Sequence, residues 1–122
     1  MHEVSICQSI INTIEAEFEE EQLINILEVH LKIGVLSCVQ TLILEHMFKL
    51  MIADSPFKNA VLKTDMVEIL AECEYCNKNF NVTNYRFICP ECLNPVSKII
   101  EGKELKIYKI ILEEPAYEKV DQ

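Results

Sequence analysis

The stretch CEYCNKNFNVTNYRFICPEC, residues 73–92, decides how this chain folds, because it holds four of the six cysteines in two matched pairs. Cys73 and Cys76 form one Cys-x-x-Cys pair, Cys89 and Cys92 form the other, and twelve residues separate the pairs. A tight turn can place both sulfurs of a pair on one side, and two such turns facing each other create the tetrahedral four-sulfur site that zinc prefers. Four thiolates leave no open position on the metal. The pattern therefore predicts a structural zinc site that supplies folding energy to this segment.

Two other functions are compatible with paired cysteines. Thiol oxidoreductases normally use one pair at the start of a helix, whereas here two pairs flank a stretch that contains Phe80, Tyr85 and Phe87. Zinc ribbons often bind nucleic acid, but three acidic residues match three basic ones between positions 71 and 98, and the chain carries 20 acidic against 11 basic residues. Phosphate binding needs a clustered positive surface. Both functions remain alternatives to a structural site.

The composition restricts where such a protein works. Half of its 122 residues are hydrophobic, which is enough for a core. No apolar stretch approaches the length of about 18 residues that a membrane span needs, and Glu3 stands where a secretory signal would carry a basic residue. We therefore expect a soluble, cytoplasmic protein, in which cysteines stay reduced.

The two cysteines outside the matched pairs are Cys7 and Cys38, which stand on or beside apolar helix faces. We predict that both are buried core thiols.

Hydrophobic periodicity predicts two elements at the start of the chain. Apolar residues at helical spacing indicate a first helix over residues 4–22, whose buried face would comprise Val4, Cys7, Ile10, Ile11, Ile14 and Phe18. A strand with one buried face should follow over residues 27–33, because apolar residues alternate there with charged and polar ones. The buried face of that strand would comprise Leu27, Val29, Leu31 and Ile33.

A second helix is predicted between this strand and the cysteine pairs. Ser37 followed by Gln40 fits a capping box, and the helical pattern continues to about residue 53. The apolar face of this helix would comprise Val39, Leu42, Ile43, Met47 and Leu50.

Strand patterns stand on either side of the cysteine segment. Residues 61–71 are strand-like, and LKIYKIIL at 105–112 is typical of a more fully buried strand. We therefore predict an α+β fold in which two helices pack on a small, mostly antiparallel three-stranded sheet, with an inserted four-cysteine zinc-ribbon module. Residues 1–72 and 103–122 would form the main domain, and residues 73–102 the inserted one.

The chain opens with Met-His-Glu, a sequence whose nitrogen atoms can chelate a metal ion. A free amine, the backbone nitrogen of the second residue and the imidazole of His2 can close adjacent rings around one ion, and the backbone nitrogen of Glu3 can complete a square plane. Such nitrogen donors suit Ni(II) or Cu(II). A histidine near a chain terminus is more often merely solvated, so these residues alone leave both interpretations open.

Three stretches together identify a family. MHEVSICQSI at the start, LKIGVLS at residues 31–37 and the paired cysteines resemble the hydrogenase nickel-incorporation proteins of the HypA/HybF family over essentially the whole chain. The resemblance implies a cytoplasmic nickel metallochaperone rather than an enzyme. It would hand nickel to the large subunit of nickel-iron hydrogenase, working with a HypB-type GTPase, and in some organisms would also serve urease.

The resemblance also implies the metal ligands and the domain functions. His2 would be the essential nickel ligand, together with the amine of Met1 and the backbone nitrogens of His2 and Glu3. Nickel is then a transferred cargo, and residues 1–72 with 103–122 form the nickel-binding domain. The four paired cysteines would hold structural zinc in the zinc-binding domain, residues 73–102.

The chain departs from the family pattern at Gln40, where many members carry an acidic residue near the nickel site. A neutral amide is a poorer ligand than a carboxylate, so we expect no acidic ligand from this position. His30 and His46 match no ligand position, and we expect them on a strand surface and half-buried on a helix, respectively. No nucleic-acid or membrane partner is expected, and the protein would be a monomer or a homodimer.

Overall fold

The computed structural model describes residues 2–113, with His2 described by its backbone alone. In order, the elements are α1 (His2–Glu17), α2 (Glu20–Leu23), β1 (Ile26–Gly34), a 3-10 helix (Val35–Ser37), α3 (Thr41–Met51), β2 (Val61–Val67), β3 (Leu70–Glu72), β4 (Asn79–Asn81), β5 (Lys98–Glu101) and β6 (Leu105–Leu112). The predicted α+β class is confirmed. The cysteine segment lies between strands of the same chain, as expected of an inserted module.

The six strands of the described region form two three-stranded sheets. In the first, β1 lies between β2 and β6, and in the second, β3 lies between β4 and β5. β3 pairs antiparallel with both neighbours, so that Ala71 stands opposite Phe80 on one side and Ile99 on the other. The prediction of a single strand across residues 61–71 is wrong. The chain leaves the first sheet after Val67 and enters the second at Leu70.

Helices α1 and α3 pack against each other. Along α1 the buried side chains are Cys7, Ile10, Ile11 and Ile14, which belong to the face that the sequence predicts, whereas Val4 of that face is exposed and Phe18 is half-buried. The Cys7 thiol donates to the carbonyl oxygen of Leu44 on α3, with 3.4 Å between sulfur and oxygen. The prediction that Cys7 is a buried core thiol is confirmed, and burial raises its pKa to about 11.

The first helix is shorter than predicted. It ends at Glu17 and α2 starts at Glu20, so the prediction of one helix to residue 22 is wrong. Glu19 causes the break, because its extended backbone (φ −81°, ψ 163°) caps α2 and its N–H donates to the side-chain oxygen of Gln22 at 2.9 Å. Neither α1 nor any other helix in residues 2–113 has the length and apolar character of a membrane span.

The second predicted helix exists as α3, but its predicted cap and its predicted buried face are both wrong. Ser37 belongs to the 3-10 helix, where its hydroxyl donates to a backbone carbonyl at 2.7 Å, and α3 begins after Gln40. Leu44 and Phe48, one turn apart, are fully buried, whereas Leu42 is 79% exposed. Because apolar residues surround most of this helix, periodicity alone does not select the face that packs.

The position of each strand in the first sheet explains its burial. The central strand β1 buries Val29, Leu31 and Ile33 as predicted, but it buries Ile26 in place of Leu27, which is exposed. β6 forms over the predicted residues 105–112. It is not the more fully buried strand that we expected, because it lies at an edge of the sheet and its side chains are half-buried or exposed.

The chain divides into two compact units. The first comprises Met1–Leu31, Val39–Thr64 and Ile107–Gln122, and the second comprises Lys32–Cys38 and Asp65–Lys106. The second unit contains all of residues 73–102 and also flanking residues, because β3 pairs with β4 and β5 and because Val35 and Leu36 pack on its buried side chains. The assignment of nickel to residues 1–72 and 103–122, and of zinc to residues 73–102, stays a prediction.

The chain has only two glycines, and they lie against each other in the second unit. A Cβ atom placed on Gly34 would lie 2.0 Å from the carbonyl oxygen of Gly102. Two backbone hydrogen bonds hold this approach: the Gly34 N–H donates to the carbonyl of Glu104 at 2.7 Å, and the Leu36 N–H donates to that of Gly102 at 2.8 Å. No side chain therefore fits at Gly34 unless the backbone moves.

Candidate metal centre

The sulfur atoms of Cys73, Cys76, Cys89 and Cys92 lie within 4.8 Å of one another in the second unit. Cys73 Sγ is 3.5 Å from Cys92 Sγ, and Cys76 Sγ is 3.6 Å from Cys89 Sγ, so both contacts join one pair to the other. All four cysteines are free thiols. Four sulfurs at tetrahedral positions, about 2.3 Å from a zinc ion, lie about 3.8 Å apart. The cluster therefore has the donor set and the dimensions of a four-sulfur metal site.

The first cysteine pair is shaped by a local turn. The N–H of Cys73 donates to the carbonyl of Lys78 at 2.9 Å, and the carbonyl of Cys73 accepts from the N–H of Asn77 at 2.8 Å. Asn77 has a φ of +60°, a left-handed conformation that asparagine adopts more readily than most residues. The turn folds the chain back directly after Cys76, so both sulfurs of the pair reach the cluster.

The second pair repeats this geometry at equivalent positions. The N–H of Cys89 donates to the carbonyl of Asn94 at 3.0 Å, and the Leu93 N–H donates to the carbonyl of Cys89 at 2.9 Å. Leu93 has a φ of +63°, which costs a leucine about 1–3 kcal/mol. In addition, the side-chain amide of Asn94 donates to Cys92 Sγ at 3.3 Å. The sequence pattern did not predict these supporting residues. Their position is the signal that was available, because each left-handed residue directly follows a Cys-x-x-Cys pair.

Hydrogen bonding and burial move the pKa values of two of the clustered thiols in opposite directions. Cys73 and Cys89 are buried, and Cys76 and Cys92 are half-buried. The backbone amide of Cys92 lowers the pKa of the Cys89 thiol to about 6, whereas burial raises the pKa of the Cys76 thiol to about 12. Without a cation the cluster cannot hold four thiolates near neutral pH. Binding of a metal ion must therefore release protons, at least that of Cys76.

The predicted nickel-binding terminus is the first turn of a helix, because α1 begins at His2. Met1 and the side chain of His2 lie outside the described residues, so their role as ligands stays a prediction. The next residue is described: the carboxylate of Glu3 accepts from the backbone N–H of Gln40 at 3.2 Å. This bond holds the pKa of the Glu3 carboxyl below its ordinary value of 4.5. It also ties the first turn of α1 to the residue that precedes α3.

A protein-family model described as "Hydrogenase/urease nickel incorporation, metallochaperone, hypA" matches residues 1–112. The match runs from the Met-His-Glu terminus through all four clustered cysteines to the end of β6. The chain belongs to the HypA family. The resemblance found in the sequence is thereby confirmed, and the chain is a member of a nickel-incorporation metallochaperone family that includes hydrogenase maturation factors.

Relatives of this HypA-family chain cover nearly all of it. A "Hydrogenase maturation factor HypA" from Chloroflexus aggregans is 35% identical over 116 residues, which is 94% of this chain and all of that protein. A protein named "Guanidine hydrolase-activating protein A", from a Synechocystis species, is 29% identical and covers 90% of this chain and 93% of its own length. The relatives therefore carry names that refer to more than one enzyme.

Two solved structures share the fold of this HypA-family chain. The "Solution structure of HypA protein" has a TM-score of 0.67 at 24% identity and covers 93% of this chain and 97% of its own. The "Solution structure of the Ni metallochaperone HypA from Helicobacter pylori" has a TM-score of 0.63 at 23% identity, with 90% and 96% coverage. At these identities the likeness supports the fold alone.

Other potential ligands lie apart from the cysteine cluster. Among the side chains that the structure describes, no second group of three or more metal-binding residues occurs. His30 lies on β1, with Nε2 2.7 Å from the Glu28 carboxylate and its ring edge-on to Tyr108. His46 is exposed, so the prediction that it is half-buried is wrong.

Cys38 is also exposed, and the prediction that it is a core thiol is wrong. The reason is that this residue ends the 3-10 helix with a left-handed φ of +58° instead of joining a helix face.

Proposed function

We propose that this chain is a cytoplasmic nickel metallochaperone that binds Ni(II) at its N-terminus and delivers it for the maturation of nickel-iron hydrogenase. The observation that carries the proposal is the family match over residues 1–112, which spans both the Met-His-Glu terminus and the four clustered cysteines. Delivery proceeds by ligand exchange. An acceptor protein can approach a site built from a chain terminus and take the ion without any covalent bond being broken, so the protein is not an enzyme.

The proposed nickel ligands are the imidazole of His2, the amine of Met1 and the backbone nitrogens of His2 and Glu3. The position of α1 supports this set, because the first N–H groups of a helix donate to no carbonyl four residues earlier, so a metal that displaces their protons breaks no hydrogen bond of the helix. Planar nitrogen donors suit Ni(II). The hydrogen bond from Gln40 to the Glu3 carboxylate supports it further, since it restricts the first turn of α1.

The proposed resident metal is one zinc ion, held by Cys73, Cys76, Cys89 and Cys92. Four thiolates satisfy the tetrahedral preference of zinc and close its coordination shell, so the site is structural. Zinc supplies the positive charge that lets Cys76 and its neighbours remain deprotonated together, and it fixes the shape of a surface for partner proteins.

The proposed partners are a HypB-type GTPase and the large subunit of hydrogenase, with the chain acting as a monomer or a homodimer. Urease is a second proposed acceptor. The Synechocystis relative is named for a different enzyme, so membership of the family does not decide the acceptor. Cells that lack this chain should lose the activity of the true acceptor enzyme and regain it when nickel is added to the medium. An acceptor enzyme that stays inactive at high nickel would contradict the delivery role.

A calorimetric nickel titration tests the terminal site. Protein with an authentic Met1 is compared at one pH with protein that carries two additional residues ahead of Met1. The extension converts the amine to an amide, so nickel affinity should fall sharply while zinc content and thermal stability stay the same. His2→Ala should produce the same loss. Equal nickel affinities in all three proteins would exclude the terminus as the site.

The alternatives are a zinc-ribbon adaptor, or a nucleic-acid-binding module, that is indifferent to His2. The charges of the second unit disfavour nucleic acid. Lys78 pairs with Glu91 at 2.8 Å and Lys98 pairs with Glu72 at 2.9 Å, so two of the three basic residues between positions 71 and 98 are already neutralised. A protein that holds zinc but binds no nickel at its native terminus would select the adaptor.

A further inference from the structure

A groove of about 490 Å³ lies in the first unit, between α3 and the chain that leads into β2; we call it the α3 groove. Its floor is apolar, formed by the buried residues Phe48, Ala60 and Leu62. Two apolar side chains at its rim are largely exposed, Leu42 at 79% and Val61 at 51%. Apolar groups on the rim of an apolar depression gain free energy when a partner removes them from water.

The walls of the α3 groove are fixed in place. Leu44 and Phe48, which share one face of α3 and are fully buried, anchor one wall. The hydroxyl of Thr64 on β2 donates to the carboxylate of Glu45 on α3 at 2.7 Å, which ties the two walls together. A groove that exists before a partner arrives avoids the ordering cost that usually weakens binding.

The charge of the α3 groove indicates the chemistry of its partner. Lys49 and Lys58 line the groove, and neither forms an ion pair with any residue that the structure describes. Among the described lining residues, Glu45 carries the one carboxylate, so two lysines stand against a single acidic group. The groove is therefore a positive, apolar site on a chain of net charge −9. A second copy whose α3 groove faced this one across a twofold axis would bring Lys49 and Lys58 close to the same two lysines, which disfavours that form of self-association.

We propose that the α3 groove binds an acidic amphipathic helix of a partner protein. Apolar side chains one helical turn apart would enter between Leu42 and Val61 and cover the Phe48 floor, and flanking carboxylates would reach Lys49 and Lys58. This function is separate from nickel binding, because none of the groove residues is a proposed ligand.

The test uses two synthetic peptides of about four helical turns, with leucines at identical helical positions and either glutamates or lysines around them. Each is titrated into the isotope-labelled full-length protein with zinc bound, and amide shifts are followed by NMR. We expect the acidic peptide to shift amides of α3 and of residues 58–62, more weakly as salt is added. The basic peptide should leave them unchanged.

Matched variants locate the site. Lys49→Glu combined with Lys58→Glu should weaken binding of the acidic peptide about tenfold or more and create affinity for the basic peptide. Lys106→Glu combined with Lys109→Glu makes the same change in net charge on β6 and should leave the affinity for both peptides unchanged. Leu42→Ser should abolish binding of the acidic peptide without lowering the stability of the protein, because Leu42 is exposed.

Three results would overturn the proposal: no shift by either peptide, equal shifts by both, or shifts outside the α3 groove. Sedimentation supplies a further check. Concentration-dependent dimers that the Lys49→Glu and Lys58→Glu pair abolishes would assign the groove to a second copy of this chain and would also overturn it. All variants should bind nickel as the unmodified protein does, so a failure here leaves the nickel site unaffected, and a failure of the nickel titration leaves the groove unaffected.

Discussion

The two compact units rely on different sources of stability. The first unit buries large aliphatic and aromatic side chains, among them Ile14, Phe48 and Phe57, and its helices α1 and α3 pack directly on each other. The buried cluster of the second unit around the metal site consists of few and mostly small side chains, and two of them, Cys73 and Cys89, are metal-site cysteines. A segment with so little apolar volume needs another source of folding energy, and four clustered thiols supply a place for it.

Because their sources of stability differ, the two units should unfold under different treatments. Loss of apolar volume should unfold the first unit and leave the metal in place, because its core contains no clustered cysteine. Loss of the metal should unfold the second unit, whose core is organised around the sulfurs.

The largest effect is expected from Cys92→Ser. Removal of one thiolate opens the four-sulfur shell, and structural zinc contributes roughly 10–16 kcal/mol to comparable small modules. We expect release of the metal and loss of the dispersed amide signals of residues 73–102, while signals of α1 and α3 persist. Metal analysis and two-dimensional NMR measure both outcomes.

Cys38→Ser is the control for this change, because Cys38 is exposed and lies outside the cluster. It should retain one equivalent of metal and an unchanged spectrum. If Cys92→Ser also retained one equivalent with unchanged affinity, the four-cysteine site would be wrong.

Phe48→Ala should produce the next largest effect, in the first unit. Truncation of a fully buried phenylalanine leaves a cavity and typically costs about 3–5 kcal/mol. Urea denaturation followed by helical circular dichroism should show this loss, and the metal content should stay at one equivalent. The exposed Leu42→Ala should cost less than about 0.5 kcal/mol. Simultaneous loss of the metal in Phe48→Ala would mean that the two units fold as one.

Gly34→Ala should have a smaller effect. The added methyl group would meet the backbone carbonyl of Gly102, which cannot move aside as a flexible side chain could. Overpacking of this kind typically costs about 1–3 kcal/mol. We expect the loss in thermal stability to appear in the second unit, measured as a lower melting temperature at fixed zinc concentration. A melting temperature equal to that of the unmodified protein would mean that the backbone relaxes freely here.

The smallest effect is expected from Glu3→Gln, and it depends on pH. The pKa of the folded Glu3 carboxyl lies below 4.5, chiefly because the Gln40 amide donates to it. Its contribution to stability is therefore fully present above pH 4.5 and is lost as pH falls through the lowered pKa. The melting temperatures of the Glu3→Gln and unmodified proteins should differ near neutral pH and converge in acid. Glu17→Gln, at an exposed carboxyl, should not reproduce the difference near neutral pH.

Local signals in the sequence predicted more of this molecule than long-range ones. The position of the cysteine cluster follows from spacing within twenty residues, and the buried face of α1 follows from a clear apolar stripe. The face of α3 could not be chosen, because Leu42 and Leu44 look equally apolar and only packing against α1 separates them. Contacts between distant positions gave no signal in the periodicity, and only the family resemblance placed Gln40 near the terminus, where it meets Glu3 across 37 residues of sequence.

Cys38 is exposed and lies outside the metal site, so the number of thiols that react with a reagent differs between metal-bound, metal-free and unfolded protein. With metal bound, the four clustered cysteines are occupied and Cys7 is buried with a raised pKa, so one of the six thiols should react rapidly with a maleimide. After chelation five should react, and after complete unfolding all six. Alkylation followed by mass spectrometry therefore distinguishes metal-bound, metal-free and unfolded molecules in one sample. Reducing agent should be present whenever the oligomeric state is measured, because Cys38 can also link two chains.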